Sequence, residues 1–207
     1  MKKYFTIFAL GMMALSTAAF AGTTATNTNT VSPTLQISAT IQSAVQLTLS
    51  TGTAATPHCA VVATGGTPDY TMSFGTVDAL GINNGNCSKF APTTPGITNA
   101  IYWSDYNLTP VYTSQSVTAN TISAQVTTDF PAPNNIFVVH DSANSSTVPA
   151  SAAAFTAIST TSPGTIVTNA ATGVAQTRFI GVAVLPANGA TTTGAKSATV
   201  TFTLTVQ

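Results

Sequence analysis

The side chains that could do chemistry are few, and their spacing excludes more than it permits. There are two histidines, His58 and His140, two cysteines, Cys59 and Cys87, and five aspartates at 69, 78, 105, 129 and 141. Glutamate is missing altogether, which excludes a Glu-based acid–base pair. His58 lies in loop-like text beside Cys59, and His140 ends an apolar run just before Asp141. Neighbours in a strand point to opposite faces, so His140 and Asp141 do not make two members of a triad. Neither G-x-S-x-G nor H-E-x-x-H occurs. His58 and Cys59 have no second cluster at ligand spacing, so no metal site is expected. The chain reads as a non-enzyme without cofactor or metal.

Two groups of residues keep a chemical meaning. Cys59 and Cys87 read as one intramolecular disulfide, given the export signal described below. Closing a loop of that length removes roughly 3–4 kcal/mol of unfolded-chain entropy in the simple model. Tyr102, Trp103 and Tyr106, with Tyr112 nearby, admit two readings. They could form a flat platform for a glycan, or they could pack in a core or interface. Tyr102 and Trp103 face opposite ways in a strand, so by default at most one of them faces the core. Packing is the favoured reading. Asn86, Asn107 and Asn144 each open a glycosylation sequon, which carries no weight behind a bacterial-looking leader.

That leader occupies residues 1–21. Lys2 and Lys3 precede an apolar run from Tyr4 to Leu15, and Ala19-Phe20-Ala21 is a small-x-small cleavage pattern. This is the pattern of a secretory signal peptide, and no later run is long and apolar enough for a membrane span. About 186 residues remain, enough for one domain with a real core. Charged residues make up 5% of the chain, where about 25% is usual. Without the leader, Lys89, Arg178 and Lys196 stand against the five aspartates, a net charge of −2. No basic patch exists, so nucleic acid is a poor partner. Neutral hydroxyls and amides supply the polarity instead, which suits an extracellular protein that packs against copies of itself.

The elements that must position these residues are strands. Residues 22–33 form a Thr/Asn-rich leader without an apolar face, and residues 34–207 read as one β-sandwich domain. "TLQISATIQSAVQLTLS", 34–50, alternates over about three times an ordinary strand length. Further strand text lies at 70–77, 100–113, 117–128, 136–140 and 178–185. A phase slip near Thr121 predicts a bulge. Residues 151–159 carry enough alanine for one short helical turn. Residues 89–100 read as loop, and Asn188-Gly189 as a hairpin loop. The last stretch alternates strictly through Ala198, Val200, Phe202, Leu204 and Val206. Short β-prone runs, Gly/Pro/Asn punctuation and no helical period predict an all-β sandwich.

Two pieces of text resemble a known family. "MSFGTVDALG", 72–81, resembles the x-F-G-x-[VY]-D-x-L-G signature of spore coat protein U-type domains and related bacterial pilus subunits. "ATVTFTLTVQ", 198–207, resembles the strand with which chaperone–usher pilins end. Cys59 departs from those subunits, whose first cysteine lies within or just after the first strand. The resemblance implies an immunoglobulin-like sandwich that lacks one strand and is completed when a neighbour donates its N-terminal extension. It implies polymerisation into surface filaments for adhesion or biofilm growth, reached through the periplasm. Partners would be copies of this chain or other pilus subunits, with a periplasmic chaperone and an outer-membrane usher.

The donor segment is expected at 34–42, with Leu35, Ile37, Ala39 and Ile41 as its apolar row. Val200, Phe202, Leu204 and Val206 are expected to border the acceptor groove. Ser43 and Ala44 would separate the donor from a first strand in which Val45, Leu47 and Leu49 face the subunit's own core. The alternative from a different class is a secreted carbohydrate-binding or adhesin module built on Tyr102, Trp103 and Tyr106.

Overall fold

The computed structural model describes residues 36–39, 44–92, 100–113, 119–132, 135–186 and 194–207. The chain divides into two units, Met1–Ile41 and Gln42–Gln207. Of the first unit only residues 36–39 are described, and these are exposed and form no strand. Leu35, Ile41, the signal peptide and the Thr/Asn-rich leader lie outside the described residues.

The second unit is nearly all β. Its strands are β1 (Val45–Thr51), β2 (Val61–Ala63), β3 (Tyr70–Met72), β4 (Ser88–Phe90), β5 (Ala100–Tyr112) and β6 (Thr121–Thr128). They continue with β7 (Ile136–Asp141), β8 (Phe155–Ala157), β9 (Gly164–Val167), β10 (Gln176–Val184) and β11 (Thr199–Thr205). A 3₁₀ turn at Ala152–Ala154 falls inside the alanine-rich stretch. The larger sheet runs β1-β5-β10-β7-β8, with β4 also paired to β5. The smaller runs β11-β6-β9, and β2 and β3 form a separate hairpin. Every pairing is antiparallel.

The two sheets pack into a sandwich-like arrangement because each strand turns an apolar row inward. β5 contributes Tyr102, Tyr106 and Leu108, and β6 contributes Ile122, Ala124 and Val126. On one side the sandwich is tied shut by backbone bonds. Val126 N–H donates to Ser159 O at 3.0 Å, and Ile158 N–H donates to Val138 O at 3.0 Å. The segment after β8 therefore joins β6 of one sheet to β7 of the other.

β5 is thirteen residues long and buried on both faces. Its outer face holds Ile101 and Trp103 against Val139, Phe179 and Ala183, with Ala55 covering them. Trp103 stacks on Phe90 at 5.5 Å and meets Phe179 edge-on at 5.8 Å. Gly181 makes this possible, since a Cβ there would lie 2.5 Å from Tyr102 O and 3.0 Å from Trp103 Cβ.

Several elements depart from the sequence reading. Of the opening alternation, the described residues 36–39 and 44 are not strand, β1 starts at Val45, and Val45 itself is 58% exposed rather than in the core. The run at 70–77 leaves the strand after Met72, because the chain turns at Gly75 with φ +71°. Residues 88–90 form β4 instead of loop. β10 and β11 are not a hairpin, for they lie in different sheets. The irregularity expected near Thr121 appears as a register shift between Ile122 and Ser123 opposite β9.

Candidate assembly groove

Away from the β8 closure, among the described residues, each sheet ends in an edge strand. β1 is an edge of the large sheet and β11 an edge of the small one. The Tyr106 ring of β5 meets the Phe202 ring of β11 at 5.5 Å, so β11 lies over the β5–β1 side of the large sheet. The inward rows of both edges, Leu47 and Leu49 on β1 and Val200, Phe202 and Leu204 on β11, are only half-buried. Both rows pack against one cluster, formed by Tyr106, Leu108, Ile122, Ala124, Ile166, Val167 and Ala170. Val61 and Met72 from the β2–β3 hairpin join the same rim. Five half-buried apolar side chains on two edge strands thus pack against one cluster, and among the described residues no strand pairs the outer edge of either strand.

The groove is fixed at one end by a polar latch. Asn120 is fully buried, and its Oδ1 accepts from Gln207 N–H at 3.0 Å. Its Nδ2 donates to Tyr112 Oη at 2.8 Å, and its backbone O accepts from Ala170 N–H at 2.8 Å. Tyr112 Oη in turn donates to Ala170 O at 2.6 Å. β5, β11 and the loop after β9 are therefore held together at the Tyr112 end. β11 runs towards that end, as β5 does, and so runs antiparallel to β1. No pattern in the sequence singled out Asn120, because one Asn before a strand resembles any turn residue.

The floor carries no free charge. Burial pushes the Tyr106 phenol well above its usual range, with the Arg178 charge opposing. Burial also lowers the Arg178 guanidinium's pKa, while Tyr106 and Asp141 act to raise it. Arg178 is engaged with backbone, donating from Nε to Ile166 O at 2.8 Å and from Nη1 to Thr177 O at 2.6 Å. The lining is thus apolar side chains beside two strand edges.

The other expected residues distribute as follows. Of the proposed donor row, Ile37 is 85% exposed and Ala39 is exposed. Val206 is half-buried just past β11. Cys59 and Cys87 form a disulfide with Cα atoms 5.0 Å apart. The glycan platform is corrected: Tyr102, Trp103 and Tyr106 are 0%, 5% and 3% exposed. Both faces of β5 are covered, so rings pointing in opposite directions are both interior. His58 is exposed with Nδ1 3.3 Å from Ala55 O, and His140 Nδ1 is 3.2 Å from Asn144 Oδ1. Asp141 accepts instead from Ala143 N–H and Ser145 N–H, both at 3.2 Å. Among the described residues no three metal-ligating side chains cluster.

The F-G-x-V-D-x-L-G stretch does structural work. The Asp78 carboxylate accepts from the N–H groups of Leu80, Ile82 and Asn83 at 2.8, 3.1 and 2.6 Å, and from Tyr102 Oη at 3.2 Å. Lys89 Nζ reaches the same loop, donating to Gly81 O, Asn83 O and Asn84 Oδ1 at 2.7, 3.0 and 3.0 Å. Gly81, at φ +68°, leaves no room for a Cβ beside Ala91. The loop is thereby pinned over the inner face of β5.

Compared with family models, curated proteins and solved structures, the chain matches none. The functional reading rests on the groove itself.

Proposed function

We propose that this chain is a secreted structural subunit of a surface filament, which polymerises when one copy lends a β-strand to the next. On this reading the domain is an immunoglobulin-like sandwich short of one strand, and the filament serves adhesion or biofilm growth. The observation that carries the proposal is the pair of half-buried apolar rows on the edge strands β1 and β11, both packed against one core cluster. A guest strand there would satisfy edge N–H and C=O groups and cover apolar surface together. The same chain has a matching guest in its alternating residues 35–41, whose Ile37 stands in solvent. The disulfide and the near-absence of charge accord with an extracellular polymer.

Deletion of residues 22–42 tests the reading. The truncated chain should elute as a monomer and form no filaments in negative-stain micrographs, while the full chain forms them without added cofactor. Filaments from the truncated chain would sink the proposal.

A further inference from the structure

Asn84-Gly85 is one of two Asn-Gly pairs in the chain, the other being Asn188-Gly189. It lies in the loop that Asp78 and Lys89 hold over β5. Asn84 is exposed, and its Oδ1 accepts from Lys89 Nζ at 3.0 Å. An asparagine amide can be attacked by the main-chain nitrogen of the residue that follows it. Glycine favours this attack, because it brings no Cβ to crowd the approaching nitrogen.

The fold requires that glycine. Gly85 has φ +59°, and a Cβ there would lie 2.9 Å from Phe74 O and 3.0 Å from Tyr102 Cδ1. A bulkier residue, which would shield the Asn84 amide, has no room. The next residue is anchored, since Asn86 N–H donates to Phe74 O at 3.0 Å. Gly85 N–H itself donates to no group among the described residues. The attacking nitrogen is therefore not held in a hydrogen bond that the reaction must first break.

We infer that Asn84 is a site of spontaneous deamidation, assisted by Lys89. Gly85 N bonds to Asn84 Cγ, the Cγ–Nδ2 bond breaks, and Nδ2 leaves as ammonia with the proton lost from Gly85 N. Water then opens the cyclic imide. Opening at Cγ gives aspartate, and opening at the main-chain carbonyl gives isoaspartate. Water is the only co-reactant. During the attack, negative charge gathers on Oδ1, the atom that Lys89 Nζ already contacts. A donor placed where charge develops lowers the barrier. The aspartate product keeps this contact as a charge-assisted bond. It also adds one negative charge to a chain whose net charge without the leader is −2. The isoaspartate product carries an extra methylene in the main chain between the Asp78 turn and Cys87. The inference is independent of strand donation.

Peptide mass mapping of the full chain, held for days in mildly alkaline buffer, tests it. Acid should accumulate at position 84 ahead of every other described asparagine, with Asn188 as a reference within the same chain. Lys89→Met should slow the reaction at 84 by roughly two- to fivefold, the scale of one exposed charged contact. Lys89→Arg should restore most of the rate, and neither variant should move the rate at Asn188. Trp103 fluorescence shows whether each variant is folded. A lysine that only held the loop would act in the opposite sense, because its loss would loosen the loop and speed the reaction. An Asn84 that stays intact would overturn the inference, as would a folded Lys89→Met chain that reacts as fast as the unmodified one or faster.

Discussion

The ring of Tyr106 lies 5.5 Å from the ring of Phe202, tilted by 50°. Tyr106 belongs to the large sheet and Phe202 to an edge of the small one, so this contact joins the layers on a side where, among the described residues, no backbone bond links the two sheets. Aromatic pairs of this geometry add about 0.5–1.5 kcal/mol beyond the area they bury. Phe202→Ala should therefore lower stability by about 2 kcal/mol, less than for a fully buried Phe because this ring is half-buried. Urea unfolding would show a lower midpoint at an unchanged slope, and Phe202→Leu should recover part of the loss. An unaltered midpoint for Phe202→Ala would mean that β11 contributes nothing at this side.

The proposed donor row gives a second expectation. Ala39→Phe should slow or weaken assembly by about 10- to 100-fold, since overfilling a packed site typically costs 1–3 kcal/mol. The stability of the unassembled chain should not move. Light scattering against time reads the effect, and an Ala39→Phe chain that assembles normally would contradict the donor assignment.

The loop held by Asp78 predicts a pH dependence. Partial burial pushes this carboxyl group's pKa up, but three backbone N–H groups and the Tyr102 hydroxyl outweigh burial and bring it below the ordinary 3.8. A lowered folded-state pKa gives stability that is present above the unfolded value and is lost as pH falls through the folded one. Stability should thus decline on acidification below about pH 4. Asp78→Asn should cost about 1–2 kcal/mol at neutral pH, through lost hydrogen bonds to a charged acceptor. It should also flatten that acid limb. Urea midpoints measured across the acid range check both, and a variant with an unchanged acid limb would remove Asp78 as its source.

Gly181 offers a test of the covered outer face. A methyl group there would press on Tyr102 O and Trp103 Cβ within the best-packed part of β5. Gly181→Ala should cost about 1–3 kcal/mol despite the better strand propensity of alanine. It should also shift Trp103 fluorescence, which Gly66→Ala, in open space, should not.

The long or strictly alternating strands were legible because their pattern is a local property. β5, β6 and β11 lie within the stretches that β-prone or alternating residues marked, and β7 and β10 overrun theirs by one residue at Asp141 and two at Gln176–Thr177. The disulfide was legible from composition and context. β8 and β9 were not, for Phe155–Ala157 and Gly164–Val167 are three and four residues in Ser/Thr/Ala-rich text. Their strand state comes from partners far away in sequence. The double burial of β5 was also hidden: Ser104 and Asp105 are polar yet wholly inside, because Cys59 N–H and Ala54 N–H donate to them. As for the groove, alternation in β11 told which residues share a face. That the face stays half-covered depends on which strands become edges, and topology alone decides that.

β1 and β11 share an omission. Neither carries a lysine, any other charged residue or a proline, the usual means by which exposed strands refuse unwanted partners. The outward row of β11 is threonine throughout, and Thr201 is already bonded to Thr127 at 2.9 Å. An edge of this kind cannot turn away an improper guest by repulsion. Discrimination is left to shape and to timing. On the strand-donation proposal, the hazardous interval is the one between folding and finding a neighbour, and the quantity to be kept low is the number of copies waiting at any moment.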